Sequence, residues 1–140
     1  MPTVKPTIDQ LNEFNSDTLC DNLGIEFTEL GDNFIKAKMP VDHRTVQPFR
    51  ILHGGASVAL AETLGSVGAL MSVGFDKIVV GVEINANHLK SITEGFVYGT
   101  AKPIRLGKTV QIWNIEIVDD HDNLICVSRL TVLVKDKKPE

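Results

Sequence analysis

Cysteine is scarce in this chain of 140 residues, and the two thiols, Cys20 and Cys126, stand far apart without a CxxC spacing. This pattern favours free thiols in a reducing, cytoplasmic location and disfavours a disulfide scaffold. The four histidines form no HxH or HExxH pattern, so we predict no metal site and no cofactor. The N-terminus also lacks a basic segment followed by an apolar run, which argues against a secretory signal.

Net charge is small as well. The chain carries 14 basic and 18 acidic residues, a formal charge of -4, and this balance argues against nucleic acid or an anionic membrane as a partner. Its length and its 43% hydrophobic residues suit a single domain over residues 1–140. We expect residues 1–6 and 135–140 to be loose, because chain ends of this composition commonly fray.

The sequence does have one long apolar stretch, HGGASVALAETLGSVGALMSVGF at 53–75, which predicts a single helix opened by a histidine and two glycines. A membrane span is disfavoured because polar and small residues interrupt it and no second span accompanies it. After His53, Glu62 is its only ionisable side chain. A buried, unpaired carboxylate is costly, so Glu62 should be hydrogen-bonded, protonated, at a subunit contact or solvated edge, or used in chemistry.

Strand patterns lie on both sides of this helix. Alternating or β-branched residues predict strands at 24–30, 34–41, 78–89, 95–103, 108–118 and 124–134, after a short helix capped by Thr7. We expect the strand at 78–89 to be buried. Because short turns join antiparallel strands, we predict an α+β fold in which a curled antiparallel sheet wraps around one long central helix. The free edges of such a sheet could pair across a dimer.

The start of the long helix could carry acyl-transfer chemistry. Gly54 and Gly55 would let a carbonyl oxygen approach the unpaired amides there, although glycines also serve simply to allow a sharp turn into a helix. Glu62 follows about two turns later. It could reach the same acyl group only along the helix axis or from another subunit. Ser66 shares the face of Glu62, or alternatively bonds back to the helix backbone.

Gln47 and His53 precede the helix and add an amide and an imidazole to the carboxylate of Glu62. The chain has no GxSxG motif, and neither cysteine lies near a histidine in sequence. A serine or thiol nucleophile is therefore disfavoured, and the carboxylate is the best candidate for the reactive group.

Four segments carry a family resemblance: QPFRILHGGASVALAETLGSVGAL, VVGVEINANHLKS, KPIRLGKTVQIWNIEI and CVSRLTV. They resemble the hotdog-fold acyl-CoA thioesterases of the PaaI type, closest to the 1,4-dihydroxy-2-naphthoyl-CoA thioesterases and their enterobactin-pathway proofreading relatives. The resemblance covers about residues 23–133. It implies hydrolysis of an acyl-CoA thioester of the aromatic (aroyl-CoA) type, or of an acyl-carrier-protein thioester, by a homodimer or homotetramer.

The resemblance also implies roles for individual residues. Glu62 would be the nucleophile or the general base, and the sequence leaves both open. The other catalytic positions implied are Gly54, Gly55, His53, Gln47 and Ser66. The substrate and CoA positions implied are Gly81, Val82, His88, Leu89, Lys90, Ser91, Arg105, Leu106, Gly107, Lys108 and Thr109. The basic side chains in this set suit the phosphates of CoA. Arg50 stands where the resemblance leads us to expect glycine or another small residue. We expect it to alter the loop or the pocket entrance, and with it the acyl group that is preferred.

Two other functions remain open at this point. A hotdog dehydratase or hydratase would place a histidine in the loop before the helix acid, where this chain has Gln47 and Pro48. A non-catalytic acyl-CoA or acyl-carrier binding protein would share the cleft, but it would have no need of Glu62.

Overall fold

The computed structural model describes residues 5–138. Two short helices come first, α1 (Ile8–Phe14) and α2 (Leu19–Asn22). The predicted cap of α1 is confirmed, because the Thr7 side chain accepts the N–H of Gln10 and the Gln10 side chain accepts the N–H of Thr7. Such a reciprocal pair satisfies two backbone donors that the first turn would otherwise leave unpaired.

One long helix and one sheet make up the rest of the described chain. The helix is α3 (Gly54–Val73). All neighbouring strands are antiparallel, in the order β1-β2-β4-β5-β6-β3. The strands are β1 (Glu26–Leu30), β2 (Ile35–Pro40), β3 (Lys77–His88), β4 (Phe96–Leu106), β5 (Val110–Val118) and β6 (Leu124–Asp136).

Small residues on α3 let the helix lie very close to the sheet. A Cβ added at Gly65 would come within 2.6 Å of Leu130 on β6, and one at Gly68 within 2.8 Å of Trp113 on β5. Leu60 and Leu64 are fully buried, and both approach Gly99 of β4. Burying one such side chain contributes about 1.5–3 kcal/mol. The predicted α+β architecture, a curled antiparallel sheet wrapped around a central helix as in the hotdog fold, is confirmed.

By length and composition, α3 is the one helix in residues 5–138 that could cross a membrane. Half of its most apolar window is buried inside the fold, as in the core helix of a globular protein. The sheet that α3 contacts therefore explains the apolar residues on the buried face of this helix.

The prediction that the strand at 78–89 is buried is wrong for the single chain. Within residues 5–138, β3 lies at the end of the strand order and pairs only with β6. Ile78, Val80 and Val82 are 41%, 42% and 57% exposed. The apolar side chains of β3 would be stabilised by burial from solvent, but the rest of the same chain buries only some of them.

Two predicted boundaries also differ from the structure. Lys135 and Asp136 continue β6 and pair with β3, so the expectation of a loose end is wrong for these two residues. Arg105 and Leu106 belong to β4, which continues beyond Pro103 through a bulge, so the turn begins only at Gly107. At the other end, Lys5 is held by an ion pair of 2.7 Å to Asp32. Residues 1–4 and 139–140 lie outside the described residues.

Candidate active site

In the first turn of α3, some backbone N–H groups are hydrogen-bonded to the capping residue and one remains free among the described residues. His53 is the N-cap, and its Nδ1 accepts the N–H of Gly55 at 2.7 Å. Nδ1 therefore carries no proton in this arrangement. The N–H groups of Ala56 and Ser57 bond to the His53 carbonyl. Within residues 5–138 the N–H of Gly54 has no hydrogen-bond partner, which leaves it as the donor available to a ligand.

The loop before α3 orients Gln47. Its backbone N–H bonds to the Ile51 carbonyl at 2.9 Å, and its own carbonyl accepts the N–H of Arg50 at 2.8 Å. Its side-chain oxygen accepts the N–H of Phe49. This bond uses one lone pair of the amide oxygen and leaves both Nε2–H donors of the Gln47 side chain without a partner in residues 5–138.

A cavity of about 320 Å³ opens beside the helix start. The ring of His88, at the end of β3, lies over Gly54, where an added Cβ would come within 2.8 Å of Nε2. Ser57 also lines this cavity and is only 2% exposed. Sequence reasoning missed Ser57, although its position one turn after Gly54 was a usable signal. Six predicted residues meet in this cavity, namely Gln47, Gly54, His88, Leu89, Lys90 and Ser91.

The charge of Lys90 is already partly engaged. Its Nζ lies 3.0 Å from the carboxylate of Asp119, a buried residue at the end of β5. Burial acts to raise the pKa of Asp119, but hydrogen bonds from Asn123, Lys90 and His121 outweigh it and hold that pKa well below its usual range. Lys90 therefore makes a weaker candidate for phosphate binding than a cation without a partner.

Glu62 does not line this cavity. It follows Gly54 by two helical turns, about 12 Å along the axis of α3. Its half-buried carboxylate lies against Gly81 of β3, and it has no hydrogen-bond or ion-pair partner in the described part of the chain. Ser66, one turn further, is also half-buried. A single chain thus holds a donor-rich cavity and a separate carboxylate.

The remaining predicted CoA residues lie elsewhere. The end of β4 approaches the C-terminal end of α3, since Leu106 lines one cavity together with Met71 and Ser72. α3 is about 30 Å long, so this region is far from the helix start of the same chain. Arg105 and Leu106 of β4 are exposed, as are Lys108 and Thr109 in the turn that follows, and Gly107 between them is half-buried. Gly81 and Val82 lie on β3, where Gly81 faces the carboxylate of Glu62.

Comparison with known proteins identifies the family. The family model described as the thioesterase superfamily matches residues 49–126, more than half of the chain. A 1,4-dihydroxy-2-naphthoyl-CoA hydrolase from Escherichia coli K12 is 48% identical, over 93% of this chain and 96% of its own length. A proofreading thioesterase, EntH, from Cronobacter turicensis is 47% identical, over 91% of this chain and 93% of its own.

Solved structures agree with these relatives. A thioesterase from Haemophilus influenzae superposes with a TM-score of 0.93 at 47% identity, covering 95% of this chain and 93% of that one. A variant thioesterase from Pseudomonas aeruginosa gives a TM-score of 0.94 at 41% identity, covering 96% and 98%. The resemblance stated from the sequence is confirmed. The chain belongs to the thioesterase superfamily and is a thioester hydrolase.

Proposed function

We propose that this enzyme hydrolyses acyl-CoA thioesters with aromatic acyl groups, and that Glu62 is its reactive carboxylate. The observation that carries this proposal is the position of Glu62, an acid without a partner in residues 5–138 that faces the open edge of the sheet. Two features support an aromatic acyl group. One relative is named a 1,4-dihydroxy-2-naphthoyl-CoA hydrolase, and Phe49, 86% exposed, stands beside Gln47.

The active site is composed across two subunits. A thioester needs an oxyanion donor about 3 Å from its oxygen and an attacking group about 3–3.5 Å from its carbon. Gly54 and Glu62 of one chain, about 12 Å apart along α3, do not meet that requirement together. Because Glu62 lies against β3, a second copy that covers the exposed β3 edge would bring its own helix start towards it. We therefore expect a dimer formed through β3.

The proposed chemistry uses the polar groups that have no hydrogen-bond partner in residues 5–138. The Gly54 N–H and the Gln47 Nε2–H groups would polarise the thioester carbonyl and stabilise the oxyanion. Glu62 either attacks the carbonyl carbon, releasing the CoA thiolate and leaving an anhydride that water cleaves, or removes a proton from an attacking water. Ser66 lies on the same helix face and can hold that water. Both routes give the free acid and the CoA thiol.

The CoA part of the bound substrate would extend from the reacting centre through the cavity that contains His88 and Ser91. Exposed Arg105 and Lys108 lie too far away in the same chain, so in this proposal they reach the CoA phosphates of another subunit in a tetramer. An acyl-carrier-protein thioester is the alternative substrate, because it presents the same pantetheine-bound acyl group as acyl-CoA.

The test is Glu62→Gln, which keeps the size of the side chain but removes the carboxylate. Turnover should fall by about 100- to 10,000-fold, the usual contribution of a positioned acid or base, while the binding of CoA is kept. Thiol release is measured with benzoyl-, hydroxynaphthoyl- and decanoyl-CoA, and with a benzoyl-loaded carrier protein.

Glu116→Gln is the matched control, since Glu116 is an exposed acid on β5 whose loss should leave turnover unchanged. Undiminished turnover in the Glu62→Gln enzyme would refute the catalytic role of Glu62. A wild-type protein that binds these thioesters without releasing thiol would instead be a binding protein. Faster release from decanoyl-CoA than from both aromatic thioesters would refute the aromatic preference.

A further inference from the structure

Gly81 is an unexpected residue in the interior of β3. Glycine inside a strand costs about 0.5–1 kcal/mol relative to alanine because it loses more conformational freedom on folding. Glycine is often required where φ is positive, but in residues 5–138 the glycines with positive φ are Gly24, Gly74 and Gly95. The backbone of Gly81 is therefore one that alanine could adopt.

The space around Gly81 explains the missing side chain. A Cβ added there would overlap one carboxylate oxygen of Glu62 and would lie 3.4 Å from both Glu62 Cδ and Leu130 Cδ1. Leu130 has no room to move away, since it is fully buried and a Cβ at Gly65 would already come within 2.6 Å of its other methyl group. Of the groups that would crowd an alanine at this position, Glu62 is the one free to shift.

The backbone of β3 changes register at the same place. Gly81 pairs with Val132 and Glu83 with Thr131, so Val82 is the extra residue of a bulge and is 57% exposed. Bulges re-aim the residues beside them and are over-represented next to active sites. Here the bulge leaves Val82 outward while the bare Cα of Gly81 faces α3.

We propose that Gly81 is a positioning residue for Glu62. Its missing side chain forms a slot, bounded by the β3 backbone and Leu130, that holds the Glu62 carboxylate at the angle needed for attack. This inference rests on the proposed catalytic role of Glu62. It predicts that a single methyl group at position 81 misplaces the carboxylate, and a misplacement of about 1 Å can cost about 100-fold in rate.

The experiment compares Gly81→Ala in two backgrounds by steady-state thiol release from benzoyl-CoA. In the wild-type background kcat should fall about 10- to 100-fold, with KM changed far less. In the Glu62→Asp background, where the carboxylate is shorter and clears the added methyl group, Gly81→Ala should cause no further loss beyond about twofold. Thermal unfolding should follow the same pattern, with any loss of stability confined to the background that retains Glu62.

Two results would overturn the positioning role. One is a wild-type kcat for Gly81→Ala, and the other is an equal loss of kcat or stability in both backgrounds, which would indicate a general defect of β3. Glu62→Gln belongs in the same series. If that enzyme keeps its turnover, the proposed function and the positioning role fail together. If it is inactive while Gly81→Ala is normal, only the positioning role fails.

Discussion

At the scale of single residues, hydrogen bonds decide which polar atoms remain available to a substrate. Nδ1 of His53 accepts the N–H of Gly55, and the side-chain oxygen of Gln47 accepts the N–H of Phe49 with one of its two lone pairs. What remains at the helix start is a set of N–H donors, reinforced by the positive end of the helix dipole. Two turns away lies the carboxylate of Glu62, an acceptor without a partner among residues 5–138. Donors and acceptor are thus kept apart within one chain, which suits an oxyanion site and a carboxylate that meet only across an interface.

Arg50 is a second residue-scale feature, because its φ of 66° is in the left-handed region. A Cβ in that region costs about 1–2 kcal/mol, whereas glycine has no such penalty. We predict that Arg50→Gly raises the free energy of unfolding by about 0.5–1 kcal/mol, after allowing for the greater freedom of glycine in the unfolded chain. Urea unfolding followed by circular dichroism measures this change.

Arg50→Ala separates the backbone from the side chain, since alanine removes the guanidinium but keeps the Cβ. It should leave stability within about 0.5 kcal/mol of wild type. Equal stabilisation by alanine and glycine would contradict the backbone explanation. The same two variants, assayed on aromatic and aliphatic thioesters, also show whether the exposed guanidinium contributes to acyl preference.

At the scale of elements, the edge strand β1 is protected by a side chain rather than by a strand. Asn12 of α1 accepts the N–H of Phe27 at 2.7 Å and donates to the Phe27 carbonyl at 3.1 Å, as a neighbouring strand would. We predict that Asn12→Ala destabilises the fold by about 1–3 kcal/mol, because both backbone groups lose partners in a half-buried place. Chemical denaturation at equilibrium measures the difference.

The control for this prediction is Glu13→Ala on the same helix, since Glu13 is exposed. It should change stability by less than about 0.5 kcal/mol, as surface substitutions usually do. If both variants lost the same amount, the effect would belong to α1 as a helix and not to the cover that Asn12 gives to β1.

The elements also show what the sequence could and could not predict. Alternating residues and turn signals located all six strands and α3, because these patterns depend on local chain geometry. The burial of β3 was predicted wrongly, since an apolar strand shows that it needs cover but not which chain supplies it. Arg105 and Leu106 were assigned to a turn because a bulge that carries a strand past Pro103 has no clear signal in a single sequence.

The candidate site, like the fold, was predictable where it depends on local sequence and not where it depends on tertiary contacts. Gln47 and Gly54 lie close in sequence, and the structure brings them together with His88 in one cavity. The steric relation between Gly81 and Glu62 was not predictable, because it depends on which strand faces which side of α3. Spacing along the helix did indicate that Glu62 lies about two turns from Gly54. That separation raises the question of which subunits compose the active site.

At the scale of the whole molecule, an active site shared between subunits can be tested by mixing two inactive enzymes. Glu62→Gln lacks the carboxylate, and Gln47→Ala lacks a donor at the helix start. In a mixed dimer with shared sites, one site carries both substitutions and the other carries neither. Unfolding and refolding the two variants together in equal amounts makes half of the dimers mixed, so about a quarter of wild-type activity should return.

The mixing experiment distinguishes the two arrangements because a site contained in one subunit would never regain both groups. Each variant refolded alone is the control and should stay inactive, and size-exclusion chromatography should show the same oligomer in all samples. A charge on the exposed edge, Val80→Lys, should prevent both dimerisation and the recovery, since β3 would then present a lysine to its partner. Mixed samples that remain inactive while forming the normal oligomer would show that Glu62 and Gln47 serve the same active site from one chain, and the substrate would then have to lie along α3.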